Sequence, residues 1–353
     1  MLHRISPAAV AQLRNIMVFQ RKVLAFACRP TLTLPLNREE VETAFGLQAA
    51  WLWSHTSLHG PITRLNAAIR ARPDLSCDLL AAFDNDVAFD AHVDDSTFAF
   101  AGCKLRADVR VPVGDLLVLF YELLGRNRGF SGEITGGDPL TRDDVVQGFW
   151  CLNSELRVCP ACDGPRPDRT NGKVHAQCDH HFPKSAHAAL SVHPGNVIPL
   201  CLDCNLTFKG ERDASEKAQL SEMFLPYQRE AFGPLEVRVL REAAGDLAVQ
   251  ITDGGTADTS RVEALNYILQ LRERWGDRLG TRVSPHVFAA LRQQHRTAAR
   301  RGDPAADRLT NIVAQREGFH VDRGKRHDAI LAEAYCALLE ADATERDGVF
   351  AEM

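Results

Sequence analysis

The chain has 353 residues, 45% of them hydrophobic and 25% charged, a balance that fits a globular protein of two or three domains with a sizeable core. Its formal net charge of −5 excludes a generally basic nucleic-acid-binding surface, so any such surface has to be local. No apolar run approaches the ~18 residues of a membrane span, and the N-terminal stretch lacks the apolar core of a signal peptide, so a cytoplasmic protein with no membrane partner is expected.

Residues 1–38 hold Arg4, Arg14, Arg21, Lys22, Arg29 and Arg38 without an acid. Pro7 followed by the spacing of Val10, Leu13, Met17 and Val23-Leu24 predicts a helix to about Ala27. Asn37 and Glu40 read as a capping box for a second helix, ended by Gly60-Pro61. Trp51 and Trp53 are expected in the core. His55 and His59 have metal-pair spacing, but with no third ligand in view they are read as ordinary residues. Residues 74–108 hold eight aspartates, and Asp84-Asn85-Asp86 lacks the rest of a calcium loop, so a solvated loop or protein-contact surface is expected there. Leu116–Leu124 reads as a buried helix, Gly125–Asp138 as a flexible connector, and Thr141 with Asp144 as the cap of a helix through Trp150.

Ten cysteines follow two patterns. Cys28, Cys77, Cys103, Cys151, Cys178 and Cys336 are scattered, whereas Cys159-Pro-Ala-Cys162 and Cys201-Leu-Asp-Cys204 form two CxxC pairs. Four thiolates at this spacing suit one tetrahedral Zn²⁺, so a reduced protein with a closed structural metal site is expected rather than a disulfide framework. Between the pairs lie Asp179-His180-His181-Phe182-Pro183-Lys184-Ser185 and Asn196-Val197-Ile198-Pro199-Leu200. Asp179, His180 and Asn205 offer oxygen and imidazole groups that a sulfur-saturated zinc does not need, which leaves room for a second, harder metal.

After Gly210, Ser215–Phe224 is expected to be helical. Leu235–Leu240 and Leu247–Thr252 alternate as the two strands of a hairpin turning at 243–246. Helices are expected at about 260–275, 284–300, 303–317 and 325–341. Residues 282–327 hold ten Lys or Arg against four acids, an excess of six positive charges that reads equally as a phosphate-binding face or a solvated helical surface.

The combination CxxC…DHxxPKS…NVIPLCxxCNxxxK resembles the HNH nucleases of the ββα-metal superfamily, over about a seventh of the chain. The resemblance implies two strands and a helix holding one Mg²⁺ or Mn²⁺ against a scissile phosphate of DNA, with RNA left open. It implies His180 as the general base, Asp179 and Asn205 as cation ligands, Asn196 as the brace of the histidine loop, and Lys184 and Lys209 as phosphate contacts. Two departures stand out: His181 occupies a position usually aliphatic or aromatic, and Asn205-Leu206-Thr207-Phe208-Lys209 has one more residue before its lysine than is common. Strand alternation keeps His180 and His181 from facing one site, and the Pro183-Lys184-Ser185 register favours His180. His175, His187 and His193 match no motif position and are read as loop residues; Cys178 reads as a packed side chain. Leu190, Asn196 and Pro183-Lys184-Ser185 are also similar to the HNH subunits of Septu-type antiphage systems, as is the stretch from Phe224-Leu225-Pro226-Tyr227 to Tyr267. That likeness implies bacterial defence and an ATPase or other complex partner, with a homo-oligomer also open.

The expected fold is α+β: an α-helical recognition or partner region (1–155), an HNH module with a four-cysteine zinc site (156–212), and a hairpin with a basic helical tail (213–353). The competing function is a zinc module that binds nucleic acid or protein without catalysis. A nuclease effector gated by a ligand or partner is the third.

Overall fold

A computed structural model of the chain describes residues 2–351 apart from 168, 171, 172, 175, 176, 232, 244, 255–258 and 301–307. His175 and parts of the expected turn at 243–246 and helix at 303–317 lie outside the described residues. The fold is α+β, mostly helical, with three separate two-stranded antiparallel sheets among the described residues.

The N-terminal helices are α1 (Val10–Ala27), α2 (Arg38–Phe45), α3 (Ala49–Ser54), α4 (His59–Ala71), α5 (Leu75–Val87), α6 (Ala107–Leu124), α7 (Gly132–Thr135) and α8 (Arg142–Leu152). Helix α6 is apolar on most of its circumference, burying Val109, Val113, Leu116, Leu117, Phe120, Tyr121, Leu123 and Leu124, so α1 and α4 can pack on it from different sides. Two caps fall where expected. Asn37 Oδ1 accepts from Glu40 N at 2.8 Å, and Thr141 and Asp144 form a reciprocal capping box.

Four expectations for the secondary structure are corrected. Gly60-Pro61 does not end a helix; both residues lie in the first turn of α4, where proline loses no intrahelical hydrogen bond. Asp84-Asn85-Asp86 is the last turn of α5 rather than a loop. Asp86 is buried there and accepts from Ala101 N at 2.6 Å and Gly102 N at 3.0 Å, while Asp84 pairs with Arg21. Ser215–Phe224 forms only short 3₁₀ turns at Ala214–Glu216 and Leu220–Glu222. The expected helix 260–275 is two, α9 (Thr259–Leu269) and α10 (Leu271–Arg278), separated by Gln270 in a left-handed conformation. The connector at 125–138 also contains the single turn α7 and an antiparallel bridge between Phe130 and Leu140.

In the centre, β1 (Arg169–Thr170) and β2 (Lys173–Val174) pair, and β3 (Gln177–His180) pairs with β4 (Val197–Leu200), Asp179 opposite Ile198 and His180 opposite Val197. A π-helical segment, Asp203–Lys209, follows β4. The hairpin forms as expected, with β5 (Glu236–Arg241) paired to β6 (Leu247–Thr252). The tail continues with α11 (Ser284–Arg300), α12 (Arg308–Val321), α13 (Ala329–Ala341) and α14 (Ala343–Ala351). One buried apolar cluster runs from Leu2 to Phe350, with members in every helix named above and in β3, β4, β5 and β6.

Candidate metal centre and adjoining pocket

The two CxxC turns bring four sulfurs within 4.8 Å of one another, with Cys159 Sγ 3.9 Å from Cys204 Sγ and Cys162 Sγ 4.0 Å from Cys201 Sγ. A tetrahedral Zn²⁺ with Zn–S of about 2.3 Å has S···S edges of roughly 3.8 Å. The quartet is therefore close enough to bind a zinc ion, and among the described residues no other group of three or more His, Cys, Asp or Glu is. Cys159, Cys162 and Cys204 are buried. Cys178 stands outside the quartet, and burial pushes its thiol up to about 12, so it is a packed, unreactive side chain.

The surroundings of this quartet come from far away in sequence. From α10, Arg274 places both Nη atoms 3.4 and 3.5 Å from Cys204 Sγ, and Arg278 Nη2 lies 3.4 Å from Cys162 Sγ. Trp275 Nε1 donates to Cys162 O at 3.1 Å. Arg274 also stacks over the Phe208 ring at 3.8 Å. These two guanidiniums offset the negative charge of a four-thiolate set, a supporting role that the spacing of the cysteines could not reveal. The chain's N-terminus joins the same knuckle: Leu2 N and His3 N donate to Pro160 O, and the His3 ring bonds Asp163 at 2.8 Å. Asp163 in turn accepts from Ile330 N and, through its carbonyl, from Asp328 N.

A pocket of about 280 Å³ opens beside this centre, lined by Tyr121, Arg142, Asp179, His180, Lys184, Asn205, Lys209 and neighbouring residues of β3 and the π-helical segment. Asp179, His180, Lys184, Asn205 and Lys209, singled out from the sequence, thus share one wall system; Asn196 lies behind it. Asn196 is fully buried and makes three hydrogen bonds: Oδ1 accepts from Phe182 N at 2.7 Å, and Nδ2 donates to Phe182 O at 3.0 Å and Leu190 O at 3.1 Å. It ties the end of β3 to the loop before β4.

His180 is buried, and its Nε2 donates to Ser191 O at 2.8 Å. A carbonyl can only accept, so Nε2 carries the proton and Nδ1 keeps its lone pair. Burial, with Lys184 and Lys209 nearby, pushes the imidazole down to about 3, so it is neutral at pH 7. Ser191 is itself held by the N-terminal region: Gln20 Nε2 donates to Ser191 Oγ at 3.1 Å and to Leu117 O at 3.0 Å, and Ser191 Oγ donates to Leu117 O at 2.9 Å. The Tyr121 ring meets the His180 ring edge to face at 4.4 Å. Arg142 and Lys184 lie over the same Tyr121 ring at 5.6 and 5.4 Å. Helices α6 and α8 therefore supply one side of the pocket, through Tyr121 and Arg142, neither of which belongs to the sequence motif.

His181 does not line the pocket. Its ring is buried against Phe182, and neither ring nitrogen has a hydrogen-bond partner among the described residues. His187 and His193 are also anchored rather than loose. His187 Nε2 meets Asp213 at 2.6 Å, and His193 Nε2 donates to Val87 O at 3.1 Å. The His55 ring stacks on Trp51, and the His59 ring lies tilted against Trp53.

Asp179 is buried, and its Oδ2 accepts no hydrogen bond among the described residues. Burial raises its carboxyl to about 6, against the opposing pull of Lys209. This oxygen and the Asn205 amide both belong to residues that line the pocket. Lys209 is buried too, its Nζ 3.3 Å from Gly210 O and 3.7 Å from Asp179 Oδ2.

Four of the ten basic residues in the tail's basic stretch face an acid. Arg282 faces Asp328, Arg308 faces Asp347, Arg316 faces Glu340 and Arg323 faces Glu333. These partners come from the start of α13 and from α13 and α14, outside the window in which the charge excess is counted. No described helix is long and apolar enough to cross a membrane.

Comparison of the chain with protein-family models, with curated proteins and with solved structures finds no match.

Proposed function

We propose that the chain is a metal-dependent endonuclease of HNH type that hydrolyses phosphodiester bonds of DNA and serves in bacterial defence. The observation that carries this reading is the convergence of Asp179, His180, Lys184, Asn205 and Lys209 on one pocket, with His180 fixed in a single tautomer by Ser191. A zinc module that only binds has no use for a buried imidazole whose free lone pair is set by a dedicated acceptor.

In this reading Nδ1 of His180 takes a proton from the attacking water and later releases it. Asn196 acts through the backbone, holding Phe182 and Leu190 so that His180 and Ser191 keep their relation. Asp179 and Asn205 would hold Mg²⁺ or Mn²⁺, which neutralises charge on the phosphate and its leaving oxygen. Lys184 and Arg142 flank Tyr121 at the pocket and bind the phosphates on either side of the scissile bond, so the N-terminal region takes part in substrate binding. The cysteine quartet holds Zn²⁺ as a structural ion.

The test incubates the purified full chain with DNA and Mg²⁺ or Mn²⁺, with a chelator control, beside His180→Ala. The proposal expects cation-dependent cutting that is lost in His180→Ala while zinc content and melting temperature stay near wild type. Cutting that persists in His180→Ala rules out the assigned base. If wild type cuts neither alone nor with cell lysate, the binding-module reading replaces it. Rescue by lysate marks a nuclease gated by a partner such as an ATPase.

A further inference from the structure

Lys209 is one of the largest fully buried side chains of the protein, at 1% exposure. A buried ammonium calls for compensation, and Lys209 Nζ has Gly210 O at 3.3 Å and Asp179 Oδ2 at 3.7 Å. The second of these is the carboxylate oxygen that accepts no hydrogen bond among the described residues. The cause is visible in the backbone. Asp203–Lys209 is wound with i→i+5 bonds, including Gly210 N to Asn205 O at 3.0 Å, so the extra residue between Asn205 and Lys209 is absorbed by a widened turn. Both ends of that turn line the pocket as a result.

We infer that Lys209 is a resident cation of the pocket, whose ammonium holds the place beside Asp179 Oδ2 and competes there with a divalent ion. The inference rests on the reading of Asp179 and Asn205 as cation ligands. Two positive groups crowded around one buried carboxylate oxygen repel strongly where water is scarce, so the ion enters as the lysine leaves. A phosphate entering the pocket offers the displaced ammonium a new anionic partner. Substrate and divalent ion then favour each other's binding, and by linkage the effect is reciprocal. The pocket of the free protein is thereby kept in a low-affinity form until nucleic acid arrives.

The experiment titrates the zinc-loaded full chain with Mn²⁺ and follows the loss of the free-ion electron paramagnetic resonance signal, without any activity assay. Wild type, Lys209→Met, Asp179→Asn and the double variant are compared, with Lys209→Gln in reserve should Lys209→Met fail to fold. Lys209→Met should bind Mn²⁺ at least tenfold tighter than wild type, with the gain abolished by Asp179→Asn. A non-cleavable phosphorothioate oligonucleotide should tighten Mn²⁺ binding in wild type and leave Lys209→Met nearly unchanged. Equal or weaker binding by folded Lys209→Met, still lost in Asp179→Asn, overturns the competition and leaves the cation site standing. Absence of Mn²⁺ binding from all variants overturns both.

Discussion

At the scale of single residues, the pocket depends on groups that fix other groups. Asn196→Ala removes three hydrogen bonds at once and leaves the Phe182 N–H buried without an acceptor. The expected cost is about 2–4 kcal/mol, read as a lower denaturant midpoint at unchanged slope. Asn196→Asp should fall between, since it can accept from Phe182 but cannot donate to Leu190. Asp179 gives a pH prediction. With its carboxyl raised to about 6, it is protonated at lower pH and cannot hold a cation, so Mn²⁺ binding should weaken as pH falls from 7 through 6. The same titration in Asp179→Asn should be flat. The grouping of Asp179, His180, Lys184 and Asn205 on one pocket was legible in the sequence, because the four sit at positions of the motif that the chain resembles. Strand alternation set His180 and His181 apart and the Pro183-Lys184-Ser185 register favoured His180; of the two, His180 lines the pocket. Tyr121, Arg142 and Ser191 were illegible for a physical reason: Tyr121 and Ser191 reach His180, and Arg142 reaches Tyr121, only through tertiary packing, and no local spacing marks them.

At the scale of elements, α10 and the π-helical segment carry the departures from ordinary patterns. Helix α10 puts Arg274, Trp275 and Arg278 against the cysteine quartet. Arg274→Met and Arg278→Met should each weaken Zn²⁺ retention by about 10–100-fold in a chelator competition, as expected when a partner of a metal's ligands is removed. Unchanged retention would show that the guanidiniums merely pack there. Read from sequence, α9 and α10 formed one helix, because apolar periodicity continues across Gln270 and only its left-handed backbone reveals the break. The misread last turn of α5 has a similar origin. Asp84 and Asp86 look solvated by composition, yet Asp86 caps the backbone of 101–102 and Asp84 meets Arg21. Hairpin strands and caps were legible, since alternation and capping are local rules.

At the scale of the whole molecule, the cysteine knuckle is where the first residues of the chain meet the helical tail. Leu2 and His3 reach it from one side, and Arg278, Asp328 and Ile330 from the other. Stripping zinc with a strong chelator should therefore expose residues 1–10 and the start of α13 to protease before α1, α4 and α6 are cut, as mass spectrometry of the fragments would reveal. Cleavage beginning within the N-terminal helices would contradict this. Stability should also depend on acid. His180 and His193 are held neutral by burial, down to about 3 and about 4, against an ordinary value near 6.5. The unfolded chain then binds protons the folded one refuses, so stability is lost as pH falls below about 6.5. Asp179 opposes this below about 6, since its raised value makes the folded form the better proton acceptor there. Burial likewise holds His181 low and raises Asp86 and Asp163. The three histidines take up protons in the unfolded chain at higher pH than the three carboxyls do in the folded one, so the denaturant midpoint should drop as pH falls from 6.5 towards 6.

The central claim concerns His180, and it is tested most directly by the rate at which zinc-loaded protein nicks supercoiled plasmid in Mn²⁺, compared among wild type, His180→Ala and His181→Ala at matched zinc content. The account predicts cutting by wild type, loss of at least a hundredfold in His180→Ala, and a His181→Ala protein whose rate per folded molecule is near wild type. Cutting retained in His180→Ala and lost in His181→Ala would contradict the assignment of the base.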